Sequence, residues 1–84
     1  MNNKILVEII VPDIEESYDI FIPINRRIGS VISLINKALY ELTNESFKIS
    51  DNRTLCNQST GKVYLINEIV RQTDIRNGTK LILI

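Results

Sequence analysis

Histidine is absent from this 84-residue sequence, cysteine occurs once, and glycine and proline together supply only five residues. A lone thiol at Cys56 closes no internal disulfide and, with no imidazole nearby in the chain, supplies no cluster of metal ligands. No histidine is available to draw off its proton, so an inert thiol is favoured over a nucleophile. The scarcity of glycine and proline, beside 44% hydrophobic residues, excludes disordered and low-complexity chains. Neither sign of charge prevails: ten Lys and Arg face ten Asp and Glu, which removes any global electrostatic reason to seek nucleic acid or an anionic membrane surface. Long apolar runs are missing too. The first, Ile5-Leu6-Val7, is cut by Glu8 and followed by Asp13, Glu15 and Glu16, a pattern that fits no secretory signal. No segment approaches the roughly 18 apolar residues of a membrane span. Direct membrane insertion is therefore not expected, and a cytoplasmic location is.

Isoleucine fills much of what remains, at sixteen positions, and favours strands around a tightly packed interior. The length suits one domain, 1–84, with a single modest core, and leaves no room for an enclosed cofactor cavity plus a substrate cleft. No cofactor is expected. Ile5, Val7, Ile9 and Val11 alternate with Leu6, Glu8 and Ile10, which predicts a strand with one fully apolar face. Pro12-Asp13 breaks it, and Glu15-Glu16-Ser17 reads as an acidic turn. Tyr18, Ile20 and Ile22 alternate with Asp19, Phe21 and Pro23, giving a second strand and an antiparallel hairpin.

From Ile28 to Leu42 the period becomes helical. Ile28, Val31, Ile32, Leu34, Ile35, Ala38, Leu39 and Leu42 share one face, and Ser30, Ser33, Asn36, Lys37, Tyr40 and Glu41 take the other. Thr43-Asn44 reads as the stop, because Asn tolerates the left-handed conformation that closes helices. Phe47 with Ile49, and Leu55 with Cys56, seed short strands between turns at Ser50-Asp51-Asn52-Arg53 and Asn57–Gly61. Lys62–Leu65 is a further strand candidate, and Asn67–Ile75 reads as a short helical turn. An Asn77-Gly78 turn then throws the chain into the apolar strand Leu81-Ile82-Leu83-Ile84. The order is β-β-α-β-β-(turn)-β, with no repeat and no linker.

Val63, Val70, Ile75-Arg76-Asn77-Gly78 and Leu81-Ile82-Leu83-Ile84, with the Ile28, Val31, Ile35 spacing after the hairpin, carry a family likeness over nearly the whole chain. The sequence resembles ubiquitin-like proteins, and closer still the small bacterial YukD/EsaB group attached to type VII secretion systems. The resemblance implies an α+β, β-grasp (ubiquitin-like) mixed sheet packed on one main helix, with the last strand beside the first and parallel to it. Ile5, Val7, Ile9, Ile20, Ile22, Leu81 and Leu83 would then face the helix. It further implies a non-enzymatic adaptor or regulator that works by binding protein partners, a secretion-system membrane ATPase or a membrane component among them. Ubiquitin and the related sulfur carriers act through a terminal Gly-Gly, whereas this sequence ends on Ile84, so neither conjugation nor sulfur carriage is expected unless a Gly-Gly precursor exists. Ferredoxins of the same fold need four cysteines.

Recognition is expected on the outer face of such a sheet. If the residues above point inward, Leu6, Ile10, Ile82 and Ile84 point out, because strand side chains alternate. With Phe21 they are expected to form a contiguous apolar strip for a protein partner, or for a second copy in a homodimer. Other motifs carry less. Glu15 and Glu16 diverge on a solvated turn, and Gly61-Lys62 after Thr60 lacks the glycine spacing of a phosphate-binding loop. Arg26, Arg27, Arg71 and Arg76 lack the aromatic ladder that single-stranded nucleic acid requires. No catalytic or metal-binding residue is expected.

Overall fold

Alternation that keeps one face apolar dictates the hairpin that starts the chain. In the computed structural model, which describes residues 3–50 and 52–84, β1 (Lys4–Val11) and β2 (Glu16–Pro23) pair antiparallel from Lys4 opposite Pro23 to Val11 opposite Glu16. Val7, Ile9, Val11 and Ile22 are buried, and Ile5 and Ile20 pack partly buried against the same core. The link is tighter than its acidic residues imply. A single 3-10 turn at Pro12–Ile14 is followed by Glu15 in the left-handed conformation, with φ 53°. Glu16 and Ser17, expected in the turn, are instead the first residues of β2.

The helix α1 (Ile28–Leu42) fills the span marked by the helical period and buries Ile28, Val31, Ile32, Ile35 and Leu39. Two members of the expected apolar face are half exposed, Leu34 at 49% and Leu42 at 56%. Leu34 lies about 120° around the helix from Ile28, on the flank of the stripe, and Leu42 closes the last turn. Asn36, assigned to the polar side, is buried, and its Nδ2 donates to the Ser50 carbonyl at 3.2 Å. No side chain caps the N-terminus. The amides of Ile28 and Gly29 donate instead to the carbonyls of Glu68 and Ile66, at 2.8 and 2.9 Å. A Cβ on Gly29 would stand 3.3 Å from that Ile66 oxygen, so glycine permits the close approach. At the other end Asn44 and Glu45 take positive φ, as the Thr43-Asn44 stop requires. The Thr43 hydroxyl donates to the Leu39 carbonyl and accepts the Phe47 amide.

Phe47 and Ile49 form no strand; among the described residues between α1 and residue 54 there is no helix or strand. Phe47 is buried nonetheless, beneath the Arg53 guanidinium 4.6 Å from its ring centroid. Arg53 also donates to Asp13 at 2.6 Å and to the Lys48 carbonyl at 3.0 Å, tying the loop to the hairpin turn. Asp51, placed in a turn by the sequence, lies outside the described residues. The strand expected at Lys62–Leu65 reduces to one bridge, Val63 with Cys56. The turn after β3 (Leu55–Asn57) allows that single pairing. Beyond it the Ile66 and Glu68 carbonyls are committed to the start of α1, so the ladder cannot continue. A 3-10 turn at Val70–Gln72 occupies the segment read as a short helical turn.

The final strand, β4 (Lys80–Leu83), enters the middle of the sheet, which has the order β2-β1-β4-β3. It runs parallel to β1 and antiparallel to β3. In the turn before it only Gly78 adopts positive φ, 90°. Asn77 serves the first strand instead. Its Oδ1 accepts the Leu6 amide at 2.8 Å, while the Gly78 amide donates to the Leu6 carbonyl at 2.7 Å. A four-stranded mixed sheet packed on one main helix, α+β, is the result, with Leu81 and Leu83 at its centre fully buried.

Candidate protein-binding face

The sheet registers place the outward residues in rows. Leu6 lies opposite Phe21, and Ile10 lies between Ser17 on β2 and Ile82 on β4. Ile82 in turn faces Cys56 on β3. Ile84 continues the alternation, exchanging backbone hydrogen bonds with Thr54. All five expected residues therefore stand on the outer side or its margin. Leu6, Ile10 and Ile82 are half-buried, while Phe21 and Ile84 are exposed by 61% and 52%.

They do not form a contiguous strip. Between the Leu6–Phe21 row and the Ile10–Ile82 row lies a charged one, in which Glu8 is flanked by Asp19 on β2 and Lys80 on β4. Two apolar patches separated by a polar bar replace the single patch expected. The break was present in the strand alternation, since Glu8 shares its parity with Leu6 and Ile10. Cys56 is the residue that sequence reasoning missed. It completes the Ile10–Ile82 patch, half-buried, and only the pairing of β3 with β4 reveals that placement. The face thus presents apolar side chains at two points, with charged side chains of both signs in the row between them.

A second polar cluster lies at the end of β3. The Tyr64 hydroxyl is buried, donates to Asp74 Oδ1 at 2.5 Å and accepts from Asn57 Nδ2 at 3.1 Å. Asn57 Oδ1 accepts the amides of Ser59 and Thr60, which fixes the following turn. Burial first, and then the hydrogen bond to Asp74, push Tyr64 up to about 12. The group is thus a protonated donor at neutral pH and acts as a structural latch. Among the described residues no group of three or more His, Cys, Asp or Glu side chains could hold a metal ion. Among them, too, no helix is long and apolar enough to cross a membrane.

No protein-family model matches the chain, and no curated protein does. Solved structures do share its architecture. The N-terminal ubiquitin-like domain in the 4931431F19Rik protein superposes with a TM-score of 0.77 at 20% identity, over 100% of this chain and 76% of that one. The EccD5 ubiquitin-like domain from Mycobacterium xenopi gives 0.76 at 15% identity, covering 98% and 93%. A chain of the MycP5-free ESX-5 inner membrane complex gives 0.78 at 11% identity; 98% of this chain matches 21% of that larger one. Likeness at such identities is one of fold. The chain has a ubiquitin-like β-grasp fold, shared with a domain found in an ESX-5 secretion complex.

Proposed function

We propose that this domain is a non-enzymatic ubiquitin-like adaptor or regulatory component of a bacterial type VII (ESX-like) secretion system, of the YukD/EsaB kind. It acts in the cytoplasm by protein–protein binding and not by C-terminal conjugation. The observation that carries the reading is the match of nearly the whole chain to the EccD5 ubiquitin-like domain and to part of an ESX-5 inner membrane complex chain. The paired apolar patches supply the contact: Leu6 with Phe21, and Ile10 with Ile82 and the neighbouring Ile84. The partner is a secretion-system membrane ATPase or a membrane component, reached without nucleic acid and without insertion into the bilayer.

Affinity capture from the native host with an N-terminal tag, followed by mass spectrometry, tests the proposal. Enrichment of the membrane ATPase or membrane component is expected. It should be lost on Leu6→Lys with Ile82→Lys, because a lysine at the centre of each patch places an unpaired charge in the contact. Retained amide dispersion in the double variant would show that the fold survives. Capture of an adenylating enzyme would favour instead a carrier made from a Gly-Gly precursor. Sedimentation that rises with concentration, and is abolished by the same two substitutions, would assign the face to a homodimer.

A further inference from the structure

Antiparallel contacts join the chain before α1 to the segment that precedes the last turn. Arg27 bridges Ile69, the Val70 amide donates to the Arg26 carbonyl at 3.0 Å, and the Arg71 amide to that of Ile24 at 2.9 Å. Further along, the Gly29 amide donates to the Ile66 carbonyl, so Ile66 lies against the start of the helix. Ile66 and Asn67 form the corner of a turn that the Glu68 amide closes on the Leu65 carbonyl at 3.1 Å. Turn corners ordinarily take Gly, Pro, Asn, Asp or Ser. Here Leu65 and Ile66 are exposed by 65% and 68%, more than any other large apolar side chain among the described residues.

Segments 24–30 and 62–71 hold the cations Arg26, Arg27, Lys62 and Arg71 against one carboxylate, Glu68. That carboxylate is committed locally: Oε1 accepts the Leu65 amide at 2.7 Å, and Oε2 lies 3.7 Å from Lys62 Nζ. Asp74, the next carboxylate along the chain, accepts the Tyr64 hydroxyl. Among the described residues the exposed side chains of Arg26, Arg27 and Arg71 have no ionic or hydrogen-bonding partner. The first turn of α1 carries no acidic residue, so the positive end of its dipole adds to them. Glu41 and Glu45 lie at the far end of the helix, about 20 Å away, beyond the screening length of about 8 Å at physiological salt. A chain with no net charge therefore has a positive end, tipped by two aliphatic side chains.

We propose that this end of the domain docks on an anionic phospholipid surface. Arg27 and Arg71, joined by Arg26, meet the lipid phosphates, while the Leu65 and Ile66 side chains reach the boundary between headgroups and acyl chains. Adjacent side chains on a turn diverge, which suits a fluid interface that yields round each of them better than a preformed protein pocket. The contact is peripheral: the sheet and the helix stay in water, and the outer sheet face remains open. The proposal goes beyond the adaptor reading and does not rest on it.

Co-sedimentation of the whole chain with lipid vesicles is the test. Binding is expected to vesicles in which one lipid in three is phosphatidylglycerol, not to phosphatidylcholine alone, and should fall as salt rises. Arg27→Gln with Arg71→Gln should weaken it more than tenfold, at about fivefold for each charge. Leu65→Ser with Ile66→Ser should weaken it about tenfold. If that second pair lost amide dispersion, the arginine pair, at exposed positions, would still decide. The Leu65 and Ile66 amides should broaden with the anionic vesicles. No binding, equal binding to both vesicles, or full binding by the arginine variant would overturn the proposal, as would broadening centred on Leu6, Ile10 and Ile82. Shifts at Arg27 and Arg71 with a poly-glutamate peptide, where vesicles cause none, would overturn it in favour of an acidic protein partner. The same shifts with inorganic phosphate, where vesicles cause none, would overturn it in favour of a free anion. No partner protein enters this assay, so its failure leaves the adaptor reading to the capture experiment.

Discussion

Tyr64 shows how a single side chain links distant parts of this chain. Its hydroxyl joins Asn57 at the end of β3 to Asp74 before the last turn. Because the folded value of about 12 exceeds the ordinary value of 10.0, the folded state holds this proton more tightly than the unfolded state does. The contribution to stability is therefore complete below pH 10 and is lost as pH rises from 10 towards 12. Urea unfolding at pH 8 and pH 11 should show that decline, and Tyr64→Phe should remove this component of it. At pH 8 the same variant should lose about 1 kcal/mol through its missing hydrogen bonds. None of this was legible in the sequence. The contact spans seven residues to Asn57 and ten to Asp74, and only the turn at 57–61, with the bridge of Cys56 to Val63, brings the three together. Gly78 was legible, since its φ of 90° is what a turn before a strand asks of glycine. The use of Asn77 as an acceptor for Leu6 was not, because it depends on β1 lying alongside.

At the level of elements, periodicity located the hairpin, the helix and the last strand, and erred where burial arises without periodicity. Phe47 sits in an irregular loop yet is 1% exposed, roofed by Arg53. Phe47→Ala should therefore cost about 3–5 kcal/mol, the range for a buried aromatic, as read from the denaturation midpoint at unchanged m-value. A loss under about 0.5 kcal/mol would mean that the loop contributes no core. The outer face was half legible. Parity alone put Leu6, Ile10, Phe21, Ile82 and Ile84 outward, whereas the charged row of Asp19, Glu8 and Lys80 across their middle needed the register.

For the molecule as a whole, the decisive fact is that its last strand occupies the centre of the sheet. β1 and β4 are both flanked on each side, and Ile9, Leu81 and Leu83 between them and the helix are 0% exposed. Native-state hydrogen exchange should therefore be slowest at the amides of Val7, Ile9 and Leu81, opening only with global unfolding, and faster by orders of magnitude at Lys62 to Ile66. Equal protection in both regions would contradict a core organised around this pair of strands. The resemblance supplied this topology ahead of the structure; hydrophobic alternation by itself does not say which strands become neighbours.

The parallel pairing also fixes how the domain bears a load. Lys4 opens β1, Leu83 closes β4, and the two strands run the same way. Tension applied between these two points slides the strands past each other along their length, so the bonds from Glu8 to Thr79 and from Leu6 to Asn77 and Gly78 are strained together instead of being unzipped one by one. A pull across Lys4 and Pro23, which face each other at the open end of an antiparallel hairpin, peels that ladder from its end instead. Single-molecule extension should accordingly register a markedly higher rupture force along the first axis than along the second, making the domain stiff in one direction and yielding in another.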